Sequence, residues 1–351
     1  MSSQARTSAH SVSRSFTRRH LAGAAASVFA GVALFPSAYA QTGSPAASPA
    51  ATNGEWTFTD DKGVTTTLPS RPERIVADVN AAASLWDFGI RPVAVFGWNA
   101  TENGDFGPAG GNIDPGAVAI VGNATEPIQP EAVAAQQPDL LVTLTFTLDD
   151  ATEYWSIDSN ILSQVTPIAP IVAISGTGMA DADTERFAEL AAALGADLDS
   201  PELKEAKATY DASLTSLKET ASATSGLRIL FAYVDATDEA YVASPQDFAE
   251  LSLYTHLGLQ LVQPDVAKNE YWETLSAEQA LKYPADVLFC SARPGTLTAD
   301  QLKAHPTWGQ HPAVKAGQVA AWNQDVIMSY QGMAEALNAT IAPLLTAGKV
   351  T

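Results

Sequence analysis

Short apolar runs and amphipathic stretches alternate along this chain. Ile75-Val76-Ala77 and Val93-Ala94-Val95-Phe96 are each too short for a helix. They frame an Ala-rich segment that holds Leu85, Trp86 and Phe88 and closes at Gly89. The pattern predicts strand, helix, strand, and a crossover of this length calls for parallel pairing. Further strands are expected at 117–122, 139–146 and 168–175, with a helix over "PEAVAAQQ" between the first two. Asp183 is placed to cap a helix that shows Phe187, Leu190, Ala191 and Leu194 on one face and stops at Gly195. The longest helical pattern follows, "SPELKEAKATYDASLTSLKETASAT", with Leu203, Tyr210, Leu214 and Leu217 at helical spacing and Pro201 in the first turn.

Beyond that helix the alternation restarts. Strands are expected at 227–234, 240–244, 259–263, 286–292 and 317–323, and helices around 247–257, over "SAEQALKY" and near 332–346. The restart is visible in the residues themselves. "EAVAAQQPDLLVTLTF" and "EQALKYPADVLFCSAR" both run Glu, short Ala-containing helix, Pro, Asp, apolar strand, with the same spacing from Glu131 to Asp139 as from Glu278 to Asp286. The fold class is therefore α/β: two Rossmann-like lobes with mostly parallel sheets, at 55–197 and 225–351, joined by one long helix over 198–224. Ligands of open α/β sheets collect at the carboxyl ends of the strands, and two such lobes facing each other make a cleft.

The first forty residues read as a targeting segment rather than as fold. Arg6, Arg14, Arg18 and Arg19 precede the apolar stretch "LAGAAASVFAGVALF", and Ser37-Ala38-Tyr39-Ala40 has the small-x-small form of a cleavage site. Paired arginines in "TRRHLA" point to twin-arginine export, with a general secretory signal as the alternative. Residues 41–54, "QTGSPAASPAATNG", are uncharged and suited to a flexible tether. No cysteine stands near the cleavage pattern to carry a lipid, and Cys290, the single cysteine, ends the apolar run "DVLFC" as a core residue would. The chain is expected to be exported, to the periplasm or the outer face of the cytoplasmic membrane, as a monomer.

Charge sharpens this picture. The chain has 19 basic and 39 acidic residues. The signal region takes four of the basic ones and none of the acids, leaving 15 against 39, a balance of −24 in the remainder. Nucleic acid and anionic membrane surfaces are poor partners for such a surface.

"TFTDDKGVTTTLPSRPERIVADVNAAASLWDFGIRPVAVFGW", "PEAVAAQQPDLLV", "YWETLSAEQALKYPADVLF" and "WGQHPAVKAGQVAAWN" together resemble the substrate-binding proteins of ABC importers for ferric siderophores, haem and cobalamin. The resemblance runs through nearly all of 55–345. It implies a single rigid linking helix, modest closure on ligand and delivery to a membrane permease, with no intrinsic cofactor and iron carried as a siderophore chelate. It also implies that Glu131 and Glu278, at matching motif positions in the two lobes, meet arginines on the permease. A first-turn glutamate also interacts favourably with its helix dipole, which is the competing account of both residues.

If strand ends face the cleft, the side chains expected there are Trp98, Phe146, Tyr233, Arg293, Trp322 and Tyr330, with Tyr154, Trp155, Tyr271 and Trp272 as loop residues at its rim. Flat aromatics suit a large, partly apolar chelate, and the competing account is inter-strand core. Arg293 alone among the arginines directly follows a strand, and one guanidinium fits a neutral or weakly charged hydroxamate or mixed-type chelate better than a triply anionic catecholate. Haem and cobalamin remain alternatives within the family. His256, His305 and His311 do not make a metal-ligand pattern, so no protein-built metal site is expected. A secreted α/β hydrolase is the alternative from another class, but Ala173 stands where a nucleophile elbow at Ser175 would need glycine, and no catalytic residues are assigned.

Overall fold

The computed structural model describes residues 54–351 apart from 102, 103, 237 and 238; the signal and tether segments lie outside the described residues, save Gly54. The chain opens with an antiparallel hairpin, β1 (Trp56–Thr59) and β2 (Thr65–Leu68), which the apolar pattern did not announce. Its core-facing residues are Trp56 and Phe58, stacked with centroids 6.1 Å apart, and Trp56 Nε1 donates to the Ala193 carbonyl at 2.8 Å.

The first lobe follows as β3 (Ile75–Asp78), α1 (Val79–Asp87), β4 (Ala94–Phe96), β5 (Ala119–Ile120), α2 (Pro130–Ala135), β6 (Leu140–Thr145), α3 (Leu162–Val165), β7 (Ile171–Ser175) and α4 (Ala180–Ala193). Its five strands lie in the order β5-β4-β3-β6-β7, every pairing parallel. All residues of β3, β4, β6 and β7 are buried. That explains their unbroken apolar runs: a parallel strand covered on both faces has no polar side to show.

Helix α5 (Pro201–Ala223) leads to the second lobe. Ser200 caps it, accepting the Leu203 N–H. The second lobe contains β8 (Ile229–Val234), β9 (Glu239–Ala243), α6 (Ala249–His256), β10 (Trp272–Ser276), β11 (Val287–Ser291), α7 (Ala299–Ala304), α8 (Pro312–Lys315), β12 (Val319–Trp322) and α9 (Tyr330–Thr346). The strand order is β10-β9-β8-β11-β12, with β8, β11 and β12 parallel and both β9 and β10 antiparallel to their neighbours.

Three local expectations are corrected. "SAEQALKY" is not a helix: Ser276 ends β10 and Ala277–Gln279 form a single 3₁₀ turn, because Leu275 is buried in the sheet and fixes the strand register against β9. "LQLVQ" makes only one parallel bridge, Leu261 to Ile229. Helix α4 starts at Ala180, with Met179 at the cap position, so Asp183 lies inside the first turn and is buried.

The repeat has a physical content. Asp139 N donates to the Arg74 carbonyl at 2.8 Å, and Asp139 Oδ2 accepts the N–H groups of Glu73 and Arg74 at 2.9 Å each. In the second lobe Asp286 N donates to the Arg228 carbonyl at 2.8 Å and its Oδ2 accepts the Arg228 N–H at 2.8 Å. Each aspartate thus pins the start of one central strand to the start of its parallel neighbour.

All described residues belong to the one unit spanning 47–351. The lobes share a hydrophobic cluster that includes Leu85, Phe187, Tyr210, Phe231, Trp322 and Leu337. Helix α9 packs along α5, where Asn338 Nδ2 donates to Ser213 Oγ at 3.0 Å. The approach to α9 also grips α1, with Met328 N donating to Ser84 Oγ at 3.1 Å and Ser329 Oγ to Asp87.

Candidate functional site

Between the lobes, at the carboxyl ends of the strands, lies a cavity of about 460 Å³. The first lobe contributes Asn80 and Ser84 from α1, Leu144 from β6, and Phe146, Glu153 and Trp155 from the loop after β6. The second contributes Asp247 and Phe248 ahead of α6, Glu250 within it, Glu270, Tyr271 and Trp272 at the start of β10, and Arg293 and Asp325 from the loops after β11 and β12.

The aromatic wall is built edge to face. Phe146 meets Trp155 at 5.1 Å and, across the cleft, Tyr271 at 6.3 Å. Phe248 meets Tyr271 at 5.6 Å, Trp272 at 4.9 Å and Trp322 at 5.4 Å. Such T-shaped pairs fix ring orientation, so the wall is preformed. The loop carrying Trp155 is tied to β6 at two points: Trp155 N donates to the Leu144 carbonyl at 2.9 Å, and Thr143 Oγ1 donates to the Trp155 carbonyl at 2.7 Å. Ser156 next to it takes φ of 64° and donates to Asp78 Oδ2 at 2.7 Å; Tyr271 takes φ of 56°. Left-handed backbone at a serine and a tyrosine is strained, and both cases sit beside the cavity.

Asp78 organises the first lobe's side. It caps α1 by accepting the Asn80 N–H at 3.0 Å, and burial pushes its carboxyl up to about 7 against the pull of Ser156 and Asn80. A Cβ on Gly97 would lie 2.4 Å from Asp78 Oδ2, and Gly97 has φ of 123°. Only glycine fits there. Trp98, next in the chain, is exposed.

Electrostatically the cavity is acidic. Five acidic side chains line it (Glu153, Asp247, Glu250, Glu270, Asp325) against the one guanidinium of Arg293. That guanidinium is already engaged: Arg293 Nε donates to Asp325 Oδ2 at 2.8 Å and Nη2 donates to Asp325 Oδ1. Glu250 is buried and accepts Trp322 Nε1–H at 3.1 Å; burial pushes it up to about 7, with the Trp322 bond and Arg293 pulling down and Asp325 pushing up.

The six side chains expected at the cleft separate into three groups. Phe146 and Arg293 line the cavity, although Arg293 presents a neutralised pair rather than a free cation. Trp322 and Tyr330 are core residues, 4% and 7% exposed. Trp322 backs the aromatic wall, 5.4 Å from Phe248 and 5.9 Å from Trp272. Tyr330 opens α9 at the joint between lobes, stacked on Tyr210 at 5.9 Å and donating to Glu185 at 3.2 Å. Trp98 and Tyr233 lie off the lining: Trp98 is 47% exposed, and Tyr233 donates to the Pro294 carbonyl at 3.3 Å. Of the rim residues, Trp155, Tyr271 and Trp272 line the cavity, while Tyr154 pairs with Ile157 beside it. Asp247, Phe248, Glu250 and Asp325 were not singled out. Asp325 follows the parallel strand β12, so the strand-end rule applied to aromatics would have found it had it been applied to acids; Asp247 follows the antiparallel β9, which that rule does not cover.

This two-lobed geometry has known counterparts. A model of the periplasmic binding protein family matches residues 89–326. The chain belongs to that family. Its architecture is similar to that of DesE, a ferric-siderophore receptor protein from Streptomyces coelicolor, with a TM-score of 0.78 at 33% identity over 84% of this chain and 100% of that one. It is also 25% identical over 278 residues to the Fe(3+)-citrate-binding protein YfmC of Bacillus subtilis, across 78% of this chain and 80% of the relative. PiaA of Streptococcus pneumoniae, solved in complex with ferrichrome, shares the fold at a TM-score of 0.54 and 20% identity, over 83% of this chain and 99% of its own. The family is one of solute-binding proteins. Among the described residues of this binding protein, no group of three or more His, Cys, Asp or Glu is placed to hold a metal ion, and no helix is long and apolar enough to cross a membrane.

Proposed function

We propose that this binding protein captures an iron–siderophore complex of hydroxamate or mixed type outside the cytoplasm and delivers it to an ABC permease. The observation that carries the reading is the lining: a preformed aromatic wall, five acidic side chains, and one arginine closed by Asp325. Three hydroxamates neutralise ferric iron, leaving an uncharged, partly apolar chelate that suits such a wall. A tris-catecholate or ferric citrate arrives with negative charge, and the like charges of the lining oppose it. The siderophore and ferric-citrate ligands named for DesE, PiaA and YfmC support iron chelates as the ligand class.

Glu131 in the first turn of α2 and Glu278 on the turn after β10 are both exposed, one on each lobe. A pair of negative points related by the repeat suits a permease of two subunits, and charge pairs of this kind speed encounter and weaken with salt.

The test is one titration followed by one coupling assay. Tryptophan fluorescence should quench saturably with a ferric trihydroxamate and at least about tenfold more weakly with ferric citrate or a ferric tris-catecholate, the scale of one uncompensated charge contact. Glu131→Ala combined with Glu278→Ala should keep that titration and lose most permease-stimulated ATP hydrolysis. Tighter binding of the anionic chelates would sink the ligand reading, and full stimulation by the double variant would sink the docking reading.

A further inference from the structure

One polar atom in the cavity has no protein partner. Asp247 is 5% exposed, and its Oδ1 accepts the Asn269 N–H at 2.9 Å, but its Oδ2 is buried with no hydrogen bond. A buried carboxylate oxygen left unsatisfied is costly and calls for a donor that arrives from elsewhere. Asp247 itself lines the cavity, which is the space a ligand fills.

Its surroundings are arranged around negative charge. Burial, then the carboxylates of Asp247 and Glu153, push the Tyr271 hydroxyl up to about 12, so carboxylates of both lobes act on one phenol. Glu270 flanks Tyr271 and lines the same space, its Oε2 held by the Ala267 N–H at 3.1 Å. The nearest guanidinium of the lining, Arg293, is committed to Asp325. Within the lining, this side of the cavity has acceptors and no free cation.

We infer that Asp247, with Glu153 from the opposite lobe and Glu270, forms a subsite for a cationic donor on the ligand, such as a primary ammonium group on an arm of the chelate. The ammonium donates to Asp247 Oδ2, while Glu153 reaches it from the first lobe, so the contact spans the cleft. The aromatic wall takes the uncharged body of the chelate and the acid corner reads its charged arm. The subsite rests on the reading of the cavity as a ferric-chelate site, and it adds a preference that this reading does not require.

Two probes separate the two ideas: a linear ferric trihydroxamate with a terminal primary ammonium, and the same chelate with that amine acetylated. The intact protein should bind the ammonium form about 10- to 100-fold more tightly than the acetylated form, the span of one charge-assisted hydrogen bond. Asp247→Asn should bring the ratio of the two affinities close to one. If that variant does not melt cooperatively, Glu153→Gln on the other lobe serves instead and should lower the ratio by a smaller factor. Equal binding of both probes by the intact protein overturns the subsite and leaves the chelate reading standing. A ratio unchanged in the folded variant, including equal weakening of both probes, also overturns it. Saturable binding of neither probe overturns the chelate reading and the subsite together.

Discussion

The two sheets begin alike and end differently. Each has a central pair of parallel strands, β3 with β6 and β8 with β11, pinned by an aspartate. The first sheet continues parallel on both sides, through β4 and β5 on one edge and β7 on the other. The second turns antiparallel at β9 and again at β10. The segment before α6 and the start of β10, which pairs with the end of β9, supply Asp247, Phe248, Tyr271 and Trp272 to the cavity. The shared part of the repeat builds the frame. The part of the second sheet that departs from it supplies much of the cavity wall.

The largest effect expected from this comparison lies in the frame. Asp286 is fully buried, and its Oδ1 also accepts the N–H groups of Val350 at 2.7 Å and Thr351 at 2.8 Å, whereas Asp139 is exposed and serves only the first lobe's strand start. Removing a buried charged acceptor that holds several donors costs about 3 kcal/mol, and an exposed one about 1–2 kcal/mol. Urea unfolding should therefore rank Asp286→Ala as clearly more damaging than Asp139→Ala. Equal losses would mean the two aspartates are interchangeable. Burial pushes the Asp286 carboxyl up, but the N–H groups of Arg228, Val350 and Thr351 outweigh it and hold it below the usual range. Its stabilisation is accordingly present above the unfolded value and is lost as pH falls through the lowered one.

Next in size is the binding surface. Trp272→Ala should weaken ferric trihydroxamate binding by about 1–2 kcal/mol through lost aromatic contact, with the melting temperature recorded as a control. Trp98→Ala, off the lining, should leave affinity within about twofold, a change too small to count as a lost contact. A comparable loss from Trp98→Ala would return that residue to the cleft and break the asymmetry between lobes.

The two lobes also share a pH dependence. Asp78 in the first lobe and Glu250 in the second are both buried and both pushed up to about 7, from ordinary values of 3.8 and 4.5. Between those values and about 7 the native state holds protons that the unfolded chain releases, so both groups lower stability as pH rises through that window. Each can contribute a slope of at most ~1.4 kcal/mol per pH unit. Glu250→Gln, which can still accept from Trp322, removes one of the two. Its stability relative to the parent chain should therefore rise between pH 5 and 8, as followed by thermal melts in a buffer series. A constant difference would show that Glu250 is already ionised across the range.

What the sequence determined by itself was the frame. Parallel strands buried on both faces must be written as unbroken apolar runs, so β3, β6, β7, β8 and β11 stand out, and the equal Glu-to-Asp spacing marks the repeat because each aspartate has the same backbone N–H to satisfy. The linking helix is similarly legible, since Ser200, Pro201 and the spacing of Tyr210 and Leu217 all act within one segment. The site was legible only in its residue types. Whether an aromatic at a strand end enters the cleft or the core depends on partners distant in the chain. Trp322 turns inward to reach Glu250, Tyr330 is claimed by Tyr210 and Glu185, and Trp98 stands exposed off the lining. The acid corner shows the same limit: Asp247 looks like any turn aspartate until the fold buries one of its oxygens and sets Glu153 across the cleft from it. Propensity and periodicity act within a few residues, but desolvation and charge are settled by neighbours that only the tertiary structure brings together.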